Sequence, residues 1–102
     1  MIHELKIEKE FFEAVVNRKK TFEVRNNTDR YFEEGDLLAL NETSGTIPTG
    51  RSALVRVSYV LPWYQMAGIG GGISRDYVVM SISPIRVDGC LIIGREKDEA
   101  AT

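Results

Sequence analysis

Residues 4–25, ELKIEKEFFEAVVNRKKTFEVR, contain a strand, a helix and a second strand in direct succession. Apolar residues alternate with charged ones over residues 4–7, which predicts a short strand. Residues 8–17 carry four apolar side chains at helical spacing, with acids early and bases just after, and therefore predict a helix. The four apolar side chains are Phe11, Phe12, Val15 and Val16. Residues 21–25 return to alternation, which predicts the second strand.

The second strand has two faces of different chemistry. Phe22 and Val24 point to one side, and Thr21, Glu23 and Arg25 point to the other, because side chains alternate along a strand. We expect the apolar pair to lie in the core and the polar face to be accessible. Phe22→Ala is then expected to cost about 3–5 kcal/mol, and Glu23→Gln less than about 1 kcal/mol.

Most of the remaining chain also predicts strands. They cover residues 36–42, 53–61 and 77–82. Residues 41–50, with two glycines and a proline, predict a loop, and the Ser-Pro pair at 83–84 interrupts the third of these strands. The Asp-Gly pair at 88–89 is typical of a hairpin turn before the apolar residues 90–93. The glycine-rich residues 68–72 predict a flexible connection or a mobile gate.

The balance of strands and helix predicts one α+β domain that is mainly β. One helix cannot cover both faces of a flat sheet, so we expect a small, partly open barrel of five to seven strands. Its main helix follows the first strand and packs at one end. We expect this domain to cover residues 1–94 and the tail 95–102 to fray.

The composition excludes several classes of protein. A chain of 102 residues with 13 basic and 15 acidic residues has a net charge of -2 and fits one domain. His3 and Cys90 are single residues of their kind, so a multi-histidine metal centre, a cysteine zinc site and an internal disulfide are excluded. Neither a membrane helix nor a signal peptide is evident. We expect a soluble, cytoplasmic protein with no metal, no cofactor and no membrane contact.

The charges are unevenly distributed. Residues 17–30 hold five basic and two acidic residues, so the rest of the chain is net acidic. A basic patch on an acidic body suits a confined anionic ligand better than a long duplex. The alternative is a solvated surface next to the end of a helix.

Glu23 lies between two cations on the polar face of the second strand. With Lys20 and Arg25 beside it, the carboxylate stays ionised and can accept hydrogen bonds from a base or an amide. The two cations can meet a phosphate or a carboxylate. The alternative is a surface ion pair that contributes less than about 1 kcal/mol.

This segment resembles the motif of the ASCH domain, Gly-x-Lys-x-x-Glu-x-Arg. Lys20, Glu23 and Arg25 match it, and Arg18 stands at the glycine position. That glycine permits a left-handed turn, so either Arg18 adopts this conformation or the turn shifts to Asn17. Further matching positions extend over residues 1–83 and are the His3-x-Leu-Lys-Ile opening, Phe12, Asp29, Arg30 and the segments 35–38, 49–51 and 77–80.

The resemblance implies a PUA-like pseudo-barrel with a cleft between the barrel and the first helix. It also implies that the cleft binds RNA or a nucleotide-like small molecule. The candidate ligand-binding residues are His3, Lys20, Glu23, Arg25, Asp29 and Arg30. His3 is expected either to reach the cleft or to be simply exposed, and Asp29 with Arg30 either to brace the cleft wall or to contact the ligand.

Two other functions stay open. Some relatives in the superfamily are amidohydrolases that act on an acetylated nucleoside, with a threonine in the place of Glu23. Here a threonine stands two residues earlier, so an enzyme would use Lys20 with Glu23 or Thr21, and we rank catalysis below binding. The third function is a protein-interaction domain that pairs through its strand edges.

Three aromatic residues are further candidates for stacking on a base. They are Tyr31, Trp63 and Tyr64. The alternative is that they cover the core, and we favour it for Trp63.

Overall fold

The computed structural model describes residues 1–66 and 75–88. Its strands are β1 (Ile2–Glu8), β2 (Phe22–Asn26), β3 (Leu37–Ser44), β4 (Ile47–Pro62) and β5 (Tyr77–Asp88), and its helices are α1 (Lys9–Val16) and α2 (Trp63–Met66). The expected mainly β fold with its main helix directly after the first strand is confirmed. Among these residues, no helix is both long and apolar enough to cross a membrane.

The five strands form one sheet in the order β1-β3-β4-β5-β2. β1 runs parallel to β3, and the other neighbours are antiparallel. The two edge strands, β1 and β2, approach each other because the sheet curls. Arg25 Nη2 donates to the carbonyl oxygen of Lys6 at 2.9 Å, and Arg30 Nη1 donates to that of Glu4 at 3.4 Å. The result is a curled half-barrel, and we call the line between β1 and β2 the seam.

The core lies inside the curl of the sheet and under α1. It contains side chains from β1, β3, β4 and β5, from α1 and from the loop before β3. The largest of its completely buried apolar side chains are Phe12, Leu38, Leu40 and Met80. The buried stripe of α1 is narrower than the sequence predicts. Phe11 is half exposed, while its neighbour Phe12 is completely buried. An eight-residue helix turns only three residues toward the core.

The two faces of β2 are the reverse of the prediction. Phe22 and Val24 are 46% and 44% exposed, whereas Glu23 is only 3% exposed. Alternation establishes that the faces differ, but the chemistry of the side chains does not decide which face is inside. Burial of the carboxylate is tolerated because two cations bind it. Phe22 and Val24 are therefore not core residues.

Two predicted interruptions of the sheet are also wrong. The expected loop over residues 41–50 is a hairpin in which β3 runs to Ser44 and β4 begins at Ile47. Gly45, with φ of 66°, makes the turn possible. β5 continues through Pro84, where its register against β4 shifts. A shift of this kind is a place where a strand tolerates proline.

Several predictions concern segments outside the described residues. They are the glycine-rich connection 68–72, the end of the hairpin at 89–93 with Cys90, and the tail 95–102. The expected domain boundary at residue 94 stays a prediction.

Candidate functional site

A cleft of about 300 Å³ lies at the seam, beside the start of α1. Both edge strands and the segment between α1 and β2 contribute to it. Its lining residues are Lys6, Ile7, Glu8, Phe11, Lys20, Phe22, Glu23, Val24 and Arg25. We call it the seam cleft. The three matching residues of the ASCH motif are all among these residues.

Glu23 binds both of its neighbouring cations. Lys20 Nζ donates to Glu23 Oε2 at 2.6 Å, and Arg25 Nε donates to Glu23 Oε1 at 3.0 Å. Lys20 Nζ also donates to the carbonyl oxygen of Phe22 at 2.7 Å. The carboxylate is buried, while the two cations retain 18% and 23% of their side-chain exposure. Both carboxylate oxygens thus hold the cations in place.

The two cations keep donors for a ligand. An ammonium has three N–H groups, and two of those of Lys20 meet Phe22 and Glu23. Arg25 uses Nε and Nη2, and within residues 1–66 and 75–88 its Nη1 has no hydrogen-bond partner. The site can therefore donate hydrogen bonds to an anion from two directions.

The turn after α1 brings Lys20 to the cleft. The backbone amides of Lys19 and Lys20 both donate to the carbonyl oxygen of Ala14, at 2.9 and 3.0 Å. Arg18 adopts the left-handed conformation with φ of 61°, so the first of the two alternatives is correct. Asn17 keeps φ of -83°. A glycine at position 18, as in the ASCH motif, would take this conformation without steric strain.

The seam cleft also has an apolar side. Phe11, Phe22 and Val24 expose about half of their surface there. The ammonium of Lys20 lies 5.0 Å from the centre of the Phe22 ring. An anionic group bound to Lys20 would therefore lie close to an aromatic surface on which a planar ring can stack.

His3 does not lie in the seam cleft, and it is not exposed. It is buried on the inner side of β1, with Nε2 at 2.8 Å from Asp36 Oδ2 and its ring 4.7 Å from that of Phe32. Burial alone would raise the pKa of Asp36, but hydrogen bonds from His3 and from the backbone amide of Glu33 lower it below its ordinary value. His3 and Asp36 thus form a buried pair away from Lys20.

Asp29, Arg30 and Thr21 lie outside the lining of the seam cleft. Arg30 crosses the seam to the backbone of Glu4, and its Nε is 3.8 Å from Asp29 Oδ1. Thr21 is exposed, and its carbonyl oxygen accepts a hydrogen bond from the amide of Ile82 at 3.0 Å. None of the three is beside Glu23 in the cleft.

A second cluster of charges was not identified as a site from the sequence. Arg51 binds both oxygens of the buried Glu42, at 2.8 Å from Nε and 2.7 Å from Nη2, and it also contacts Glu13 of α1. Its guanidinium carbon lies 4.8 Å from the Phe12 ring. Hydrogen bonds from Arg51, with a further one from Thr49, hold the pKa of Glu42 below its ordinary value despite its burial. The segment 49–51 matches the ASCH-like pattern, which is the one sequence signal for this cluster.

Two of the three aromatic candidates lie in another cleft. Tyr31 and Tyr64 line a cleft of about 570 Å³ that shares no residue with the seam cleft. They are therefore not beside Lys20 and Arg25. The side chain of Trp63 is outside the described part of the structure. In that part, no group of three or more potential metal-ligating side chains is present.

Comparisons with known proteins give a family and a similar fold. The family described as a domain of unknown function (DUF3850) matches residues 2–82. A curated relative, the uncharacterized 12.9 kDa protein in the GpA 3′ region of Escherichia phage P2, is 39% identical over 59 residues. That alignment covers 58% of this chain and 53% of the relative, so the chain matches about half of the relative's length.

Two solved structures are similar to this chain. The crystal structure of hypothetical protein PH0355 has a TM-score of 0.53 at 16% identity, over 83% of this chain and 100% of that chain. The solution NMR structure of protein PF0455 from Pyrococcus furiosus has a TM-score of 0.45 at 20% identity, over 83% and 98% of the two chains. The similarity to PH0355 supports the fold and nothing beyond it.

Proposed function

This chain belongs to the family of the domain of unknown function DUF3850, and we propose that it binds RNA or a nucleotide-like small molecule in the seam cleft. The observation that carries the proposal is the arrangement of Lys20 and Arg25, held by one buried carboxylate beside two exposed aromatic rings. We also propose the narrower relationship to ASCH and PUA-like modules and a cytoplasmic location. The match of Lys20, Glu23 and Arg25 to the ASCH motif supports that relationship.

The charge of the cleft supports a small anionic ligand. Its lining holds three cations, Lys6, Lys20 and Arg25, and two carboxylates, Glu8 and Glu23. The surplus is one positive charge, which suits a single phosphate better than several. Phosphate oxygens would accept hydrogen bonds from the third N–H of Lys20 and from Arg25 Nη1.

The apolar side of the cleft supports a ring next to that anion. Phe11 and Phe22 expose aromatic surface within the same cleft as the cations. Stacking of a base on an aromatic side chain contributes about 1–3 kcal/mol. A nucleotide joins a planar ring and a phosphate in one molecule, so it would use both sides of the cleft.

We propose a role for Glu23 that differs from direct contact with a base. Because each carboxylate oxygen already accepts a hydrogen bond from a cation, we propose that Glu23 positions Lys20 and Arg25 rather than recognising a base by itself. No described lining residue of the cleft carries a hydroxyl or thiol group. We therefore propose binding, and not hydrolysis through a covalent intermediate, as the function of the site.

The proposal can be tested with two neighbouring lysines. Titration calorimetry with nucleoside monophosphates and short single-stranded RNAs would be performed on Lys20→Met and on Lys19→Met, whose exposed side chain is not part of the cleft. Loss of a charge-assisted hydrogen bond of about 1.5–3 kcal/mol weakens binding roughly 10- to 100-fold. We expect this loss for Lys20→Met alone. Equal effects of the two substitutions, or no binding by the wild-type protein, would contradict the proposal.

A further inference from the structure

We propose that the second cleft, here named the tyrosine cleft, binds the guanidinium group of an arginine in an extended segment of a partner protein. The cleft has a volume of about 570 Å³ and is formed by the β2–β3 loop, the end of β4, α2 and the start of β5. Its lining residues are Asn27, Tyr31, Phe32, Glu33, Glu34, Tyr59, Val60, Pro62, Tyr64, Gln65, Arg75 and Val78. The proposal does not depend on the function of the seam cleft.

The cleft presents aromatic surface that the core does not use. Tyr31 is 75% exposed and Tyr64 is 62% exposed, and Tyr59 is also about half exposed. Phe32, which lines the same cleft, is buried against His3. Of the exposed aromatic side chains in the described residues, all but Tyr77 line either this cleft or the seam cleft. Aromatic residues concentrated in a concave surface are typical of binding sites.

The charge of the tyrosine cleft is opposite to that of the seam cleft. Glu33 and Glu34 are exposed, and within residues 1–66 and 75–88 their carboxylates have neither a hydrogen bond nor an ion pair. Arg75 is the basic residue among the described lining. Two carboxylates against one cation disfavour a phosphate and favour a cationic ligand.

The combination of tyrosines and carboxylates favours a guanidinium over an ammonium. The face of an aromatic ring attracts a cation, and a planar guanidinium can stack on it while it donates hydrogen bonds in a fork to a carboxylate. An ammonium ion can do only one of these well, because it is compact and strongly hydrated. Tyrosine and arginine are also among the residues that contribute most to protein interfaces.

The turn that carries the two glutamates is held firmly. The amide of Glu33 donates to Asp36 Oδ2 at 3.0 Å, and the amide of Gly35 donates to the carbonyl oxygen of Val57 at 2.8 Å. Asp36, which is paired with the buried His3, thus connects this turn to β1. A turn fixed before binding loses little conformational freedom when the ligand arrives.

A partner segment fits the cleft better than a small free cation. The volume lies in the middle of the range of about 300–1,000 Å³ that holds ligands of drug size. One guanidinium group fills only part of such a cleft, so the side-chain stem and the neighbouring peptide groups would occupy the rest. Asn27 and Gln65 line the cleft. Gln65 Oε1 accepts a hydrogen bond from Tyr59 OH at 3.4 Å, so the NH2 group of Gln65 and the side-chain amide of Asn27 are the groups that can meet a peptide backbone.

The test uses three small probes on the full chain. Titrations followed by NMR would compare the blocked peptide Gly-Arg-Gly, the same peptide with citrulline in place of arginine, and agmatine. Citrulline keeps the shape of arginine but has no charge. We expect the arginine peptide to bind about tenfold more tightly than the citrulline peptide, and more tightly than agmatine. Equal affinity for arginine and citrulline, equal affinity for agmatine, or no binding would each overturn the proposal.

Substitutions locate the binding. Glu33→Gln combined with Glu34→Gln, and separately Tyr31→Ala, should each weaken binding of the arginine peptide about tenfold. Glu10→Gln, which removes an exposed carboxylate of α1 outside the cleft, and Lys20→Met, which changes the seam cleft, should leave it unchanged. If Lys20→Met weakened binding of the arginine peptide and the Glu33 and Glu34 substitutions did not, the peptide would bind in the seam cleft, which would contradict the proposal.

Discussion

Glu23 is buried between two partly exposed cations, so it contributes to stability as well as to the seam cleft. Glu23→Gln keeps the shape of the side chain, but its single amide oxygen can accept only one of the two charge-assisted hydrogen bonds, and its NH2 group faces the other cation. We expect a loss of about 2–3 kcal/mol in the free energy of unfolding. Phe22→Ala removes a ring that is half exposed and should cost about 1 kcal/mol.

Urea denaturation of the two variants at neutral pH measures this difference. The order of the two values is the informative result, because a core position for Phe22 gives the opposite order. A Phe22→Ala variant clearly less stable than Glu23→Gln would contradict the arrangement of β2 described above.

Arg18 is in a backbone conformation that favours glycine. The left-handed region costs an ordinary residue roughly 1–2 kcal/mol, and a glycine loses about 0.5–1 kcal/mol in conformational entropy on folding. Arg18→Gly should therefore raise the free energy of unfolding by about 0.5–1 kcal/mol. Arg18→Ala is the matched control, since it removes the same side chain but keeps Cβ. If alanine stabilises the protein as much as glycine does, the conformation of residue 18 is not the cause.

The motif residues show how far residue-level prediction reaches. The spacing of Lys20, Glu23 and Arg25 predicts that the three side chains lie together, and all three line the seam cleft. It could not reveal that Glu23 is inside, because an alternating strand has the same pattern in either orientation. For His3, an isolated residue, no pattern in the sequence indicates its buried partner Asp36, 33 positions away.

At the scale of the elements, Arg51 joins three parts of the fold. It binds Glu42 of β3 and Glu13 of α1 from its own place in β4, and its guanidinium packs on Phe12. Hydrogen bonds to Glu42 and Glu13 raise the pKa of Arg51 above its ordinary value. This cluster fastens the helix to the β3–β4 hairpin.

The pKa of Glu42 makes this connection sensitive to acid. The folded pKa lies below the ordinary value of 4.5, so the carboxylate's contribution is complete above about pH 4.5 and is lost as the pH falls through the folded pKa. We expect Glu42→Gln to cost about 3 kcal/mol at pH 7, and its difference from wild type to shrink below pH 4.5. Denaturation midpoints between pH 7 and pH 3 measure the difference. Glu34→Gln, at an exposed carboxylate, is the control.

A constant difference between wild type and Glu42→Gln over that pH range would show that the carboxylate does not act through its charge. For Glu34→Gln we expect a constant difference from wild type over this pH range, because that side chain is exposed and has no partner among the described residues.

Strand boundaries were harder to predict than strand existence. The hairpin at residues 41–50 contains glycines and a proline, and those residues also occur in tight turns and at irregular points of long strands. β4 therefore begins at Ile47 instead of residue 53, and β5 passes through Pro84. Local composition marks such positions, but only pairing with a neighbouring strand decides whether the chain continues.

At the scale of the whole molecule, the curled sheet creates both clefts. The order β1-β3-β4-β5-β2 leaves β1 and β2 as edges, and side chains, not a backbone ladder, connect them across the seam. The expectation of a barrel was correct because one helix cannot cover a flat sheet. The seam cleft takes its charged residues mainly from β1 and β2, and the tyrosine cleft takes its two carboxylates from the β2–β3 loop. The basic patch over residues 17–30 was visible in the sequence, but the place of Glu33 and Glu34 in a second cleft was not.

The most direct test of the seam cleft as a nucleotide site is a titration of the ¹⁵N-labelled protein with a nucleoside 5′-monophosphate, followed by NMR. We expect the largest shifts at the backbone amides of residues 6–8, 11 and 20–25, and we expect them to disappear in Lys20→Met but not in Lys19→Met. Shifts confined to the tyrosine cleft, or none at millimolar nucleotide, would contradict a nucleotide site at the seam.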